Sequence, residues 1–287
     1  MRHRRPSVWP YLRLFRVRAS VGAPLLCWAG WRLTEPAAHR NGWLLLWSCA
    51  SAFSMMCFAQ TFNDIQDLRL DDLAGLNRPL VTGEVSVLAA KRTSGMLIAI
   101  SVVSACLAGI PTVLLDLVCI TSAWLYSKVL KRVLIVGNLV VAVVSAATLL
   151  YTSGFRGLIT TSAAIGFGVA ACYLTGNELF KTAIDCESDR AGGVTTVANT
   201  FGLRPTTWLI AASWLALSAV AALGAAVASY VAPYVVVAVV VVMIPTLVGT
   251  VVALNIGDES NSASMFRGWQ RWRLAWYPGF LLLVLLK

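Results

Sequence analysis

Asn63-Asp64-Ile65-Gln66-Asp67-Leu68-Arg69-Leu70-Asp71-Asp72 follows without a break on the apolar run 43–62, and this junction decides how the chain is read. A run of that length and composition suits a membrane-crossing helix, so the polar stretch begins at a membrane edge. Asn63, Asp67 and Asp71 are spaced i, i+4, i+8. On a helix that spacing stacks three oxygen-bearing side chains on one face. Side chains so placed repel one another unless something positive sits between them. Mg2+ is the natural candidate, because it is hard and binds through a few carboxylates together with substrate phosphates.

A second cluster answers the first. Asp185 and Asp189 repeat the i, i+4 spacing, with Glu187 between them and Arg190 beside the last Asp. The two clusters are predicted to face each other across one cavity and to hold a diphosphate through shared Mg2+. After each comes glycine (Gly75; Gly192-Gly193) and then a new apolar run, a loose internal symmetry.

Of the 287 residues, 58% are hydrophobic and 13% charged, far from the balance of a soluble domain. Nine segments have the length of a bilayer span: 14–33, 43–62, 86–109, 111–130, 133–152, 157–181, 205–229, 231–254 and 271–286. The chain is read as a single integral membrane domain, 1–287, whose basic N-terminus leads into an uncleaved first helix. His3 and His39 lie outside the apolar runs, and the seven Cys form no CxxC pair. Histidine chemistry, zinc and a disulfide framework therefore find no support.

Nineteen of the 23 Lys and Arg fall on one side of these spans; Arg32, Arg40, Arg156 and Lys287 fall on the other. The positive-inside rule then puts the N-terminus in the cytoplasm and the C-terminus outside. The net charge of +10 is thereby explained by topology and anionic lipid, and no nucleic-acid partner is needed. Eleven of the 13 acids share the basic side, all but Glu35 and Asp116, which topology does not require. Both acidic clusters thus end even-numbered spans on one membrane face, as a catalytic site would.

Asn63-Asp64-x-x-Asp67-x-x-x-Asp71 followed by Asp185-x-x-x-Asp189-Arg190 resembles the paired motifs of the UbiA superfamily of intramembrane prenyltransferases. Three further pieces are similar to that family: Asn77-Arg78-Pro79-Leu80-Val81-Thr82-Gly83, Tyr126-Ser127-x-x-Leu130-Lys131-Arg132 with Gly137-Asn138, and Glu178-x-x-Lys181. The motifs cover residues 14–204. The resemblance implies an all-α membrane fold of nine transmembrane helices around a central lipid-accessible cavity. It implies Mg2+-dependent transfer of a prenyl group from an isoprenoid diphosphate to an aromatic or other lipophilic acceptor. Asp67, Asp71, Asp185 and Asp189 would be catalytic. Asn63, Asp67 and Asp71 would bind one Mg2+, and Asp185 and Asp189 the other. Asp64 fits the motif but lies about 100° around the helix from Asn63, towards the second ion or a neighbouring Lys. Arg78, Lys128, Lys131, Lys181, Tyr126 and Arg16 are the candidates for the diphosphate. Plain topology also accounts for the basic ones, and interfacial anchoring for Tyr126.

The chain departs from the family at Thr182, where many relatives carry Asp, and at Asn177, where some carry a basic residue. Metals held by fewer protein oxygens, or helped by Glu178 or Glu187, would follow. Two rivals stand beside prenyl transfer. A terpene cyclase of the same superfamily needs the same ionising machinery but no acceptor. An ion-coupled transporter would also carry membrane acids, though nearer mid-membrane and on both faces.

Overall fold

The computed structural model describes residues 8–34, 41–156 and 159–227. Every described element is helical, and no strand occurs among the described residues. The short helices α1 (Trp9–Leu14) and α2 (Val17–Ser20) lead into α3 (Gly22–Thr34). The first predicted span, 14–33, is therefore interrupted. Arg16 separates α1 from α2 with φ 44° and ψ 51°, the left-handed region that a non-glycine residue enters at a cost.

The long helix α4 (Gly42–Leu73) is capped by the Asn41 side chain, which accepts from the Trp43 and Leu44 amides. It runs unbroken through both the apolar segment and the acidic stretch, so the i, i+4, i+8 stack is real helix geometry. Helices α5 (Val87–Ala108) and α6 (Ile110–Lys128) meet at Gly109, and Pro111 sits in the first turn of α6. Helix α7 (Leu134–Ala147) continues as a 3-10 turn through Arg156. Helix α8 (Thr161–Ile184) is followed by α9 (Cys186–Ala191), α10 (Val197–Phe201) and α11 (Leu203–Val227).

Among the described residues five segments are long and apolar enough to cross a membrane: Gly42–Leu73, Val87–Ala108, Ile110–Lys128, Leu134–Thr152 and Leu203–Leu223. Helix α8 has the length, but its glycines, Asn177 and Glu178 make it more polar, and it is sheltered by α7 and α11. The predicted spans 231–254 and 271–286 lie outside the described residues.

Helix α5 shows the environment most clearly. Ser94, Leu97, Ser101, Ser104, Ala105 and Ala108 are buried against α4 and α6, while Met96, Ile100, Val103 and Leu107 are exposed. Small residues face inward and large apolar ones outward, the arrangement of a helix packed in lipid. The same close approach appears at Gly176, where a Cβ would come within 2.4 Å of Trp214 Nε1. Helix α4 packs with α5 and α6 around Cys57, Phe58, Leu97 and Ala123. Helix α8 packs with α11 around Leu179, Phe180, Ala183, Ile210 and Trp214. Between these groups, lined from α3, α4, α6, α7 and α8, lies a cavity.

Candidate active site

The two acidic clusters are built with the same helix ending. Helix α4 stops at Gly75, φ 63°, where Gly75 N donates to Asp72 O and Leu76 N donates to Asp71 O. Helix α9 stops at Gly193, φ 67°, where Gly193 N donates to Arg190 O and Val194 N to Asp189 O. Both are glycine caps of the left-handed kind, in which the final carbonyls are satisfied by the turn. Asp71 and Asp189 thus each lie four residues before the glycine. The second cluster also spans a junction: Asp185 caps α8, yet Asp189 N donates to Asp185 O at 2.8 Å, so i, i+4 spacing survives.

The cavity, about 770 Å³, is lined by Asn63, Asp67 and Asp71 of α4 and by Asp185 and Asp189 beyond α8. Arg16, Arg78, Tyr126, Lys131 and Lys181 line it too. The predicted convergence of the two clusters on one cavity is thus present in the structure. Their proximity is also electrostatic. The Asp189 carboxyl is pushed up to about 7, first by burial and then by the charges of Asp185 and Asp67.

Asp64, Asp67 and Asp71 on α4 each have a basic partner. Lys131 pairs with Asp67, to which the Asn63 amide also donates at 2.8 Å. Arg78 Nη1 donates to Asp71 at 2.5 Å and to Asp64 at 2.9 Å. Arg16 Nη2 donates to Asp64 at 2.5 Å. Lys181 pairs within its own helix with Glu178. Among the described residues no group of three or more His, Cys, Asp and Glu converges as a ready metal cage. The carboxylates of Asp64, Asp67 and Asp71 are held by lysine and arginine.

Two expected site residues stand apart. Asp64 is only 2% exposed and does not line the cavity; it clamps Arg16 and Arg78 from behind. Its 100° offset from Asn63 turns it towards those two arginines. Lys128 does not line the cavity either, and its Nζ lies 6.0 Å from the centre of the Phe62 ring. Phe58, Tyr173 and Phe180 near the motifs are core residues.

The left-handed turn at Arg16 now has a context, since it sits where that side chain reaches Asp64. Helix α1 is tied down next to it. Arg13 bonds both Glu84 carboxylate oxygens at 2.9 and 3.2 Å, the Asn77 carbonyl at 2.7 Å and the Asn77 side chain at 3.0 Å. Leu14, Leu80, Val85 and Ala90 form a small core under that tie. Sequence reasoning did not single out Arg13, Glu84 or Gln60. Gln60 lines the cavity, and its only signal was a carboxamide inside an apolar run.

A family model described as the UbiA prenyltransferase family matches residues 23–274. The chain therefore belongs to the UbiA prenyltransferase family, and it is a prenyltransferase. The digeranylgeranylglyceryl phosphate synthase of Sulfolobus acidocaldarius is 28% identical over 209 residues, 71% of this chain and 74% of that protein. The synthase of the same name from Methanococcus aeolicus is 27% identical over 203 residues, 67% of this chain and 68% of that protein. Among solved structures, the apo UbiA homologue from Aeropyrum pernix K1 matches with a TM-score of 0.78 at 18% identity, over 94% of this chain and 98% of its own. The Archaeoglobus fulgidus UbiA homologue bound to DMAPP and Mg2+ matches with a TM-score of 0.72 at 19% identity, over 96% and 98%. These likenesses show that the helical bundle is the UbiA fold. With its apolar helices, the chain is an integral membrane protein. The cyclase alternative gains no support from these relatives, and the family assignment displaces the transporter reading.

Proposed function

We propose that this enzyme takes a prenyl group from an isoprenoid diphosphate and, with Mg2+, transfers it to a lipophilic acceptor inside the membrane. The observation that carries this reading is a single cavity lined by both acidic clusters and by four basic side chains. The donor set suits the metal: Asn63, Asp67, Asp71, Asp185 and Asp189 offer only oxygen ligands that a hard divalent cation accepts. Bound there, Mg2+ would supply Lewis-acid charge to the diphosphate. The homologues named above are synthases of a lipid glyceryl phosphate, and one solved relative holds DMAPP with Mg2+. These names support the donor class.

The chain's own residues divide the work. Asp67 and Asp71 keep Lys131 and Arg78 at the cavity wall, and Asp64 fixes Arg16 and Arg78 from outside it. Those three cations are therefore held where negative charge develops on a leaving diphosphate, which lowers the barrier to its departure. Tyr126 and Lys181 line the same mouth. Deeper, Leu26, Met55, Met56, Val144 and Leu174 supply an apolar wall for the isoprenoid chain. The excess of Lys and Arg on this flank supports a cytoplasmic mouth.

The test incubates the purified, lipid-embedded protein with prenyl diphosphates, and measures diphosphate release and prenylated product with Mg2+ and with chelator. Release requires Mg2+ and is lost in Asp67→Ala and Asp185→Ala while both variants remain in the membrane. Full turnover by either variant, or turnover in chelator, sinks the proposal.

A further inference from the structure

Arg13 belongs to neither acidic motif and does not line the cavity. Its guanidinium nevertheless grips the loop that carries Arg78. Nη2 donates to the Asn77 carbonyl at 2.7 Å and to the Asn77 side chain at 3.0 Å, and Nη1 donates to Glu84 at 2.9 and 3.2 Å. Asn77 is the residue before Arg78. Glu84 is tied back to the same place. The Thr82 hydroxyl donates to its carboxylate at 3.1 Å, and the Thr82 amide donates to the Arg78 carbonyl at 2.9 Å. The backbone of Arg13 holds the other arm. Its carbonyl accepts from the Arg16 amide at 3.0 Å, at the left-handed turn from which the Arg16 side chain reaches out. Both arms end on Asp64. The result is a closed circuit, from Arg13 through Arg16 to Asp64 and back through Arg78 and Asn77.

Neither arm is well held on its own. Helix α1 has six residues, fewer than a helix needs to be stable by itself. The turn at Arg16 is a costly one for a residue with a side chain. Long basic side chains lose entropy when they are fixed in one place. The Arg13–Glu84 ion pair, its side chains 29% and 27% exposed, is worth little as a charge pair alone. The planar fork makes the difference, since one guanidinium bonds a carboxylate and a carbonyl in fixed directions.

We infer that Arg13 is a positioning residue for the prenyl diphosphate: by tying α1 to the loop 76–85 it sets Arg16 and Arg78 in place before the donor arrives. This rests on the prenyl-transfer reading of the cavity and adds to it a residue outside the cavity wall. Cations already in place need no ordering when the diphosphate binds, so the gain is in donor affinity. The bonds of the Arg13 side chain go to Asn77 and Glu84, not to Asp67, Asp185 or Asp189, so the Mg2+ requirement does not depend on it.

The test uses the full chain in lipid nanodiscs with Mg2+ and two probes, inorganic pyrophosphate and geranyl S-thiolodiphosphate, whose carbon–sulfur bond resists ionisation. Arg13→Ala weakens both probes about fivefold, the effect of a lost charge-assisted contact discounted for its exposure, and Arg13→Lys regains part of the loss. The half-saturating Mg2+ concentration does not move. Because Arg13 acts through the two arms that meet at Asp64, the losses of Arg13→Ala and Asp64→Asn are less than additive in the double variant. A merely structural role would lower the thermal midpoint and leave the affinities in place. Wild-type affinity in a folded Arg13→Ala protein overturns the assignment, and so does full additivity with Asp64→Asn. If Arg13→Ala does not fold, Glu84→Gln decides, since it keeps an accepting oxygen and loses only the charge. It weakens pyrophosphate about twofold, and unchanged affinity overturns the assignment. A wild type that binds neither probe with Mg2+ is a different result: it removes the prenyl-transfer reading itself, and with it the diphosphate that Arg13 serves.

Discussion

At the scale of single residues, Asp64 and Asp67 separate two roles that one motif writes side by side. Asp67 faces the cavity, and Asp64 is buried behind it between Arg16 and Arg78. Asp64→Asn weakens the clamp on both arginines. It is expected to raise KM for the prenyl diphosphate about tenfold, the loss of a charge-assisted bond, and to leave the half-saturating Mg2+ concentration in place. Asp67→Asn is expected to shift the Mg2+ requirement itself. Mg2+ titrations of the two variants at saturating donor distinguish them, and equal shifts would contradict the division. Asp189 adds a pH dependence. Burial and its acidic neighbours raise the carboxyl to about 7, so below that pH it holds a proton in the free protein. A metal needs the deprotonated form, so protons compete with it. The half-saturating Mg2+ concentration should therefore climb as pH falls from 8 towards 6, and Asp189→Asn should remove that slope.

At the scale of elements, the two acidic helices end in one geometry. Gly75 and Gly193 both have positive φ, and a Cβ at either would meet no atom within 4 Å. Substitution there costs only backbone strain. Gly75→Ala and Gly193→Ala should each lose about 1–2 kcal/mol and lower the thermal midpoint by similar amounts. Gly176 is the contrast, because a Cβ there would strike the Trp214 ring, itself 1% exposed between α8 and α11. Gly176→Ala has to move packed atoms, and should destabilise more than either cap variant. Differential scanning of the three proteins in one detergent ranks them. The glycines after each cluster were visible in the sequence as a loose symmetry. That the symmetry consists of matched helix caps required the hydrogen bonds.

At the scale of the whole molecule, a cavity with a charged mouth sits inside a bundle whose outer surface is apolar. Ile100 lies on the outer face of α5, with Met96, Val103 and Leu107, while Ser101 beside it is buried. Ile100→Arg should cost about 2.5–3.5 kcal/mol of insertion free energy, seen as a smaller membrane-integrated fraction, whereas Ile100→Leu should be silent. The same inward preference for small and polar groups holds Asp116, which accepts from Ser101 Oγ at 2.9 Å and from the Tyr151 hydroxyl at 2.9 Å. Asp116 thus ties α5, α6 and the 3-10 turn together away from the site, apart from the acids of the motifs.

The sequence by itself determined the class of fold and the chemistry of the mouth. Apolar runs long enough for a bilayer can satisfy their backbone only as helices, and carboxylates spaced by four on such a helix must share a face. Those are local rules, legible in residues 43–72 and again around Asp185. The partners were decided by tertiary structure. Arg16 and Arg78 reach Asp64, Lys131 reaches Asp67, and Asn177 is left with an unpaired oxygen at the cavity wall. Helical spacing says which side chains share a face of one helix, but which side chain meets which across a bundle depends on how helices far apart in the chain are packed against each other.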